Sequence, residues 1–301
     1  TAVGQSALKD NTTASYNTAV GRVAMFENTT GAENTALGAS ALYTNTTGAE
    51  NVAVGAYALY TSNGDDNTAV GKSALFANTT GDYNTAVGRN ALASNTTGHN
   101  NVAIGGLALD AATTADYNIA IGVWSMSDVT TGHSNTALGY NSLRVCTTGS
   151  SNVAIGKDAG TSIASGSGNI TIGYQAGHVI TSGVDNIAIG RSALATEDGD
   201  GRNIAIGRNA LQDQNAGADA YNIAIGYAAL NLSTSGHSNV AIGYEALKAN
   251  TTGGESTVIG HQALTAQTGT SGEVHNTAVG WHVGYNITTA VDNRLIISPE
   301  K

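Results

Sequence analysis

One phrase, Asn-[Thr/Val/Ile]-Ala-[Val/Ile/Leu]-Gly, restricts the fold of this chain more than any other feature. Its Asn falls at Asn17, Asn34, Asn51, Asn67, Asn84, Asn101, Asn118, Asn135, Asn152, Asn169, Asn186, Asn203, Asn222, Asn239 and Asn276; Ser256 replaces it once, and the opening "TAVG" is a copy without it. That makes 17 copies, mostly 17 residues apart, with the consensus N-T/I-A-V/I-G-x-x-A-L-x-x-N-T-T-G-x-x. Positions below are counted within a copy, the Asn being position 1. Self-similarity at a fixed period of this size marks a solenoid, in which each copy builds one coil and buries its apolar face only by stacking on the next.

The phrase itself reads as local structure. "NIAIG" alternates β-branched residues, the pattern of a short strand. Position 5 is Gly in all 17 copies, from Gly4 to Gly280. That invariance calls for a positive φ or a close approach of another chain segment. "xxALxx" reads as a second short strand, and "NTTG" supplies turn chemistry. The expected coil therefore has two strands and two turns, and no helix, because Gly recurs and a 3.6 period is missing. The copy at Asn51 is one residue short, and those at Asn203 and Ser256 are two and three residues long. Each change is expected in the second turn, where a solenoid tolerates it.

Packing expectations follow. Position 4 is always Val, Ile or Leu and position 9 nearly always Leu or Met, so both are expected inside. Gly160, Gly177 and Gly284 break the position 9 column, and each is followed three residues later by Ile163, Ile180 or Ile287. Volume compensation predicts that these isoleucines point inward. Position 3 is almost always Ala and faces opposite to positions 2 and 4. The expectation is an outward Ala column lying against another copy of the chain. Residues 1–285 are read as one continuous solenoid of 17 repeats and 286–301 as a degenerate terminal repeat. There Asn293 continues the register, Ile297 stands where Gly is due, and Pro299, the only proline, follows.

Composition narrows the function. Charged residues make up 11% of the 301, below the usual quarter. The net charge of -10 argues against a nucleic acid partner. The single cysteine, Cys146, excludes an intrachain disulfide and reads as a small buried thiol. No apolar run reaches the roughly 18 residues of a membrane helix, so membrane insertion is not expected.

"NVAIG", "NIAIG" and "NTAVG" followed by "xxAL" resemble the head repeats of YadA-like trimeric autotransporter adhesins. The longer "NTTGxxNTAVGxxAL" form is similar to repeats of bacteriophage tail fibres. The resemblance covers nearly the whole chain and implies a left-handed parallel β-roll, a side-by-side homotrimer, an extracellular place and a role in attachment. The leading expectation is a structural and adhesive segment of a virion tail fibre that projects a receptor-binding tip toward a host-surface glycan or protein receptor. The head of a bacterial surface adhesin is the alternative. YadA heads repeat at about 14 residues, so the longer second turn is this chain's own. At ~4.8 Å per stacked coil, 17 coils would span roughly 80 Å.

Catalysis, a cofactor and a metal site are not expected. The seven histidines show no ligand pattern. His99, His133 and His237 recur in the second turn, the first two roughly 9.5 Å apart by strand spacing, too far to share a metal. Glu33, Glu50, Asp65, Asp66, Asp82, Asp116 and Asp185 read as a solvated acidic edge. Ice binding is a remote possibility, since the Thr pairs lie in a turn of variable length. The candidate functional stripe is position 6. It holds Arg22, Lys72, Arg89, Lys157, Arg191 and Arg208, half of the 12 basic residues, and also Tyr140, Tyr174, Tyr227, Tyr244 and Trp281. Such a column could stack on sugars or meet anionic glycans, or line a boundary between subunits.

Overall fold

The computed structural model describes residues 1–196, 199, 201–217, 220–268, 275–288 and 293–297. It is all-β, a parallel β-solenoid whose coils follow the 17-residue period, with no helix among the described residues. Two compact units divide the chain, residues 1–148 and 149–301. The first carries nine strands, from Ala2–Val3 to Thr136–Leu138, and the second nine, from Val153–Ile155 to Leu295–Ile297. Within each unit, successive strands pair in parallel with equivalent residues side by side, as in Thr85↔Val102, Ala86↔Ala103 and Val87↔Ile104.

Coil length varies without disturbing this register. Val52 still faces Thr68 across the short coil, and Ile204 and Thr257 still face Ile223 and Thr277 across the long ones. Position 13 also stays paired, through Asn63 to Thr79, Asn215 to Thr234 and Thr268 to Thr288. Every change of length is thus confined between position 13 and the next Asn. Stacked backbone cannot absorb an extra residue, and an outward loop can.

There is one strand per coil, not two. The expected second strand, positions 6 to 10, is a turn segment in which positions 7 and 9 have left-handed backbone: Ser40 and Leu42 at φ 57° and 50°, Asn90 and Leu92 at 57° and 52°. It still stacks in register. Position 7 donates its N–H to the preceding coil and position 9 to the following one, as Asn90 to the Lys72 carbonyl and Leu92 to the Ala108 carbonyl. A left-handed L-residue costs roughly 1–2 kcal/mol. Glycine escapes that cost, which explains why Gly160, Gly177 and Gly284, at φ 56°, 57° and 62°, are tolerated at position 9.

The strand faces the opposite way from the sequence expectation. The position 3 alanines, among them Ala36, Ala53, Ala86, Ala103, Ala188 and Ala205, are fully buried, while position 4 residues such as Leu37, Ile104 and Leu138 are 38–48% exposed. Positions 2 and 4 point out, and the Ala column is the core. The opposite wall contributes a second buried Ala at position 8 and the Leu or Met at position 9. That Leu spans the thin interior, so a methyl stands across from it in most coils; Val258 is buried opposite Leu264, whose Cδ2 lies 2.6 Å from where a Cβ on Gly284 would sit.

Natural exceptions confirm the geometry. Thr171 replaces Ala at position 3, and its Cγ2 lies 2.5 Å from where a Cβ on Gly177 would sit; the Ile180 Cδ1 lies 2.8 Å from the same point. Both fill the volume that a Leu at 177 would take. Ile163 and Ile180 are fully buried, as volume compensation predicts. Ile287 is half-buried, with its Cδ1 3.1 Å from the equivalent point at Gly284.

Position 5 shows both causes of its invariance. Gly190 has φ 127°, and a Cβ there would come within 2.7 Å of the Gly207 carbonyl carbon. The terminal coil is shifted by one residue from the expected register. Leu295 pairs with Thr277 and Ile297 with Val279, so Arg294 takes the Asn position and Ile297 the outward position 4, not the Gly place. Ile296 then falls at position 3, its Cδ1 3.6 Å from the Gly284 point. Pro299 lies outside the described residues.

Candidate functional site

The repeated Asn is the internal tie of each coil. The N–H of one Asn donates to the side-chain Oδ1 of the Asn one coil earlier: Asn51 to Asn34 at 2.9 Å, Asn67 to Asn51 at 2.9 Å, Asn84 to Asn67 at 3.0 Å. The Nδ2 crosses its own coil to the turn carbonyl 14 residues on, as Asn34 to Gly48 and Asn84 to Gly98, both at 2.8 Å. These amides are fully buried. The position needs one acceptor and one donor on a short stem, which Asn supplies and Asp does not. The second unit continues the pattern, with Asn169 accepting from Asn186 and Asn222 from Asn239, both at 3.0 Å.

A second buried amide column occupies position 12. The Nδ2 of Asn28, Asn45 and Asn95 donates to the Oδ1 of Asn11, Asn28 and Asn78 at 2.8–2.9 Å. It ends at Ala112 and continues as Val129 and Cys146, both fully buried. Cys146 is thus a small apolar filler where an amide stood.

Every position 6 candidate is exposed. In the first unit Ala39 and Ala56 separate Arg22 from Lys72, Lys72 and Arg89 stand in successive coils, and Gly106 and Val123 separate Arg89 from Tyr140. The second unit brings its members together. The Lys157 Nζ lies 5.2 Å and the Arg191 Cζ 5.6 Å from the Tyr174 ring centre, and the Arg208 Cζ lies 5.8 Å from that of Tyr227. Tyr227, Tyr244 and His261 stack with centroids 5.1 and 4.9 Å apart and planes tilted by 11° in each pair, and Trp281 follows 6.4 Å from His261. His261 is a member that the sequence reading passed over, although it sits at position 6.

This geometry decides what the stripe can do. The ring faces are turned toward one another along the column, so a sugar cannot lie flat on an inner ring. Ring edges, tyrosine hydroxyls and guanidinium groups face solvent. The basic residues are held over their partners' ring faces by the ring quadrupole, each contact worth roughly 0.5–1 kcal/mol when exposed. The stripe is therefore a stacking ladder in the second unit and an interrupted column in the first, where Tyr140 meets the Trp124 ring at 5.6 Å.

The acidic edge behaves as a column of like charges. Asp66 and then Glu33, the neighbours of Glu50 in adjacent coils, hold its carboxyl above its ordinary value. His99 is built into the same edge: its Nδ1 accepts from the Asp82 N–H at 3.0 Å, and its own N–H donates to the Asp116 carboxylate at 2.7 Å. Among the described residues no three His, Cys, Asp or Glu side chains converge as metal ligands. No described helix is long and apolar enough to cross a membrane.

Two surfaces escaped the sequence reading. One is the strand face, because positions 2 and 4 had been placed inside. The other is an aromatic column at position 10, formed by Phe26, Tyr43, Tyr60 and Phe76. Its signal was present as aromatic residues 17, 17 and 16 apart. Compared with family models, curated proteins and solved structures, the chain matches none.

Proposed function

We propose that the chain is a structural and adhesive fibre segment, of the kind that projects a receptor-binding tip from a virion to a host surface, and that it works as three copies packed side by side outside the cell. The carrying observation is the outward strand face. Positions 2 and 4 hold only Thr, Val, Ile and Leu, with no charged residue in any copy. Soluble sheets usually place charges on such a face.

The magnitude favours a covered face. Leu37, Val70, Val87, Ile104 and Leu138 each keep 36–48% of their surface exposed. Full burial of such a side chain contributes about 1.5–3 kcal/mol, so covering the remainder contributes about 0.5–1.4 kcal/mol each. Five of them offer about 3–7 kcal/mol, and the second unit offers a similar row. That is the scale needed to offset the roughly 4–15 kcal/mol cost of association. The number three and the left-handed winding rest on the YadA-like resemblance. The long period suits a shaft, since each added coil adds length at constant section.

Sedimentation equilibrium of the chain and of a Val87→Lys, Ile104→Lys variant tests this reading. The expected mass is three times 30.2 kDa for the chain and a single-chain mass for the folded variant. A wild-type chain that stays at single-chain mass refutes it.

A further inference from the structure

The position 10 column in the first unit is closed at one end and open at the other. Phe26, Tyr43, Tyr60 and Phe76 stack with centroids 5.2–5.3 Å apart and planes within 9°. Lys9, at the same position one coil earlier, caps the stack with its Nζ 4.6 Å from the Phe26 ring centre. At the other end the next coil carries Ala93 where a ring would stand. Phe76 is 37% exposed, and beside it Ser73, Ala77, Asn90, Ala93 and Ser94 complete a cavity of about 390 Å³. The cavity is the seat of a missing ring: an aromatic face on one side, a methyl at the back, and two hydroxyls and an amide at the rim.

The coil beyond the cavity carries Asp110, which follows Ala93 in the column, and the Ser94 N–H donates to its backbone carbonyl at 3.1 Å. The Asp110 Oδ1 is sealed from solvent and is not among the groups that line the cavity. Burial pushes this carboxyl's pKa up, against its own backbone N–H.

An occupant must be one ring thick, apolar on one face and rich in hydroxyls at its edge. A flat aromatic ring would leave the rim amide and hydroxyls facing C–H edges. An acidic sugar would find no cation among the lining residues. We propose that this cavity binds one neutral pyranose ring of a glycan, its C–H face on Phe76 and its hydroxyls toward Ser73, Asn90 and Ser94. The site lies on the wall opposite the strand face, so it does not depend on how copies associate.

Saturation-transfer difference NMR on the intact chain tests this, with methyl glycosides of glucose, galactose, mannose and N-acetylglucosamine as probes. A single ring of mM affinity is detectable at about 10 mM. At least one probe should receive saturation, lost about tenfold in Phe76→Ala, the weight of one 1.4 kcal/mol contact. Ala93→Phe fills the seat with the chain's own ring. It should abolish binding while unfolding at a urea concentration no lower than the wild type. The proposal is overturned if no glycoside is saturated, if saturation survives Ala93→Phe, or if phenol or indole binds the seat and no glycoside does.

Discussion

Ala112 and Ala115 break two columns in the same coil, and the structure says why they do so together. Where position 12 is Asn, position 15 is Gly in every coil but the first, where the Asn11 Nδ2 donates to the Ala14 carbonyl at 3.2 Å: a Cβ on Gly81 would meet the Gly98 carbonyl oxygen first, then the Asn78 Oδ1 at 2.5 Å and the Asn95 Nδ2 at 2.9 Å. Ala115 stands beside Ala112, which has no amide to crowd its methyl; only the opening coil, with Asn11 and Ala14, combines the two. The cost appears one coil earlier, where the Asn95 Oδ1 is buried without a donor. Ala112→Asn alone should therefore lose about 1–3 kcal/mol to overpacking against the Ala115 methyl. Its Nδ2 reaches Asn95, but its own Oδ1 becomes the new orphan, so those terms offset. Ala115→Gly alone should lose about 1.3–1.8 kcal/mol, from one methylene equivalent and the flexibility of glycine. In the double variant the collision is gone, and the amide can reach the residue 115 carbonyl as Asn95 reaches Gly98 at 3.0 Å. The double variant should then exceed the sum of the singles by about 1–3 kcal/mol. Urea unfolding at one fixed protein concentration measures this, provided the slope is common to all four proteins. Additivity within about 0.5 kcal/mol, or an Ala112→Asn chain as stable as the wild type, would refute the reasoning.

Other consequences are equally direct. Asn84→Leu orphans the Asn101 N–H, while the Gly98 carbonyl keeps the Asn95 Nδ2, and urea midpoints should register a loss of about 1–3 kcal/mol for that one buried group; Asn84→Ser, which copies Ser256, should lose less. Glu50 has a folded-state pKa above its ordinary 4.5, raised by Asp66 first and Glu33 next. The folded chain then binds more protons than the unfolded one between those two values, so its stability falls as pH rises through that window and stays lowered above it. Glu50→Gln should flatten that part of the profile, and an unchanged slope contradicts the charge column. Tyr244 stacks on Tyr227 and His261, so Tyr244→Ala should lose about 1–3 kcal/mol at 0.5–1.5 per ring pair; a neutral result in thermal unfolding would show that the stripe is not a ladder.

The period, the parallel register, the Gly corner and the tolerant loop were all legible in the sequence, because each leaves a residue type at a fixed offset. The facing of the strand was not. Alternation over three residues admits two answers, and the larger side chains at positions 2 and 4 pointed to the wrong one. What decides it is the Leu at position 9, which fills most of the interior and leaves room across it for a small side chain, Ala in most coils and Val258 opposite Leu264. Thr171 opposite Gly177 is the natural proof that the two walls share one volume. The left-handed backbone of positions 7 and 9 left a weak signal, the Asn and Asp scattered at position 7 and the three Gly at position 9, which the Leu filling most copies of position 9 masks as an ordinary strand. The same blindness turned the oligomer argument around: the Ala column is sealed inside, and the apolar surface that calls for a neighbour is the Val and Ile face. Position 6 was legible as a column, but sequence could not tell that its rings in the second unit stack face to face.

The account turns on which side of the strand meets another copy. A sample assembled from two differently labelled populations of the chain, one with labelled Ile, Leu and Val methyls and one with labelled Ala methyls, allows nuclear Overhauser contacts between copies to be read separately from those within one. The account predicts inter-copy contacts from position 2 and 4 methyls such as Ile104 and Leu138, and none from Ala86, Ala103 or Ala137. Inter-copy contacts from those alanines, or none from any aliphatic methyl of the strand face, would contradict it.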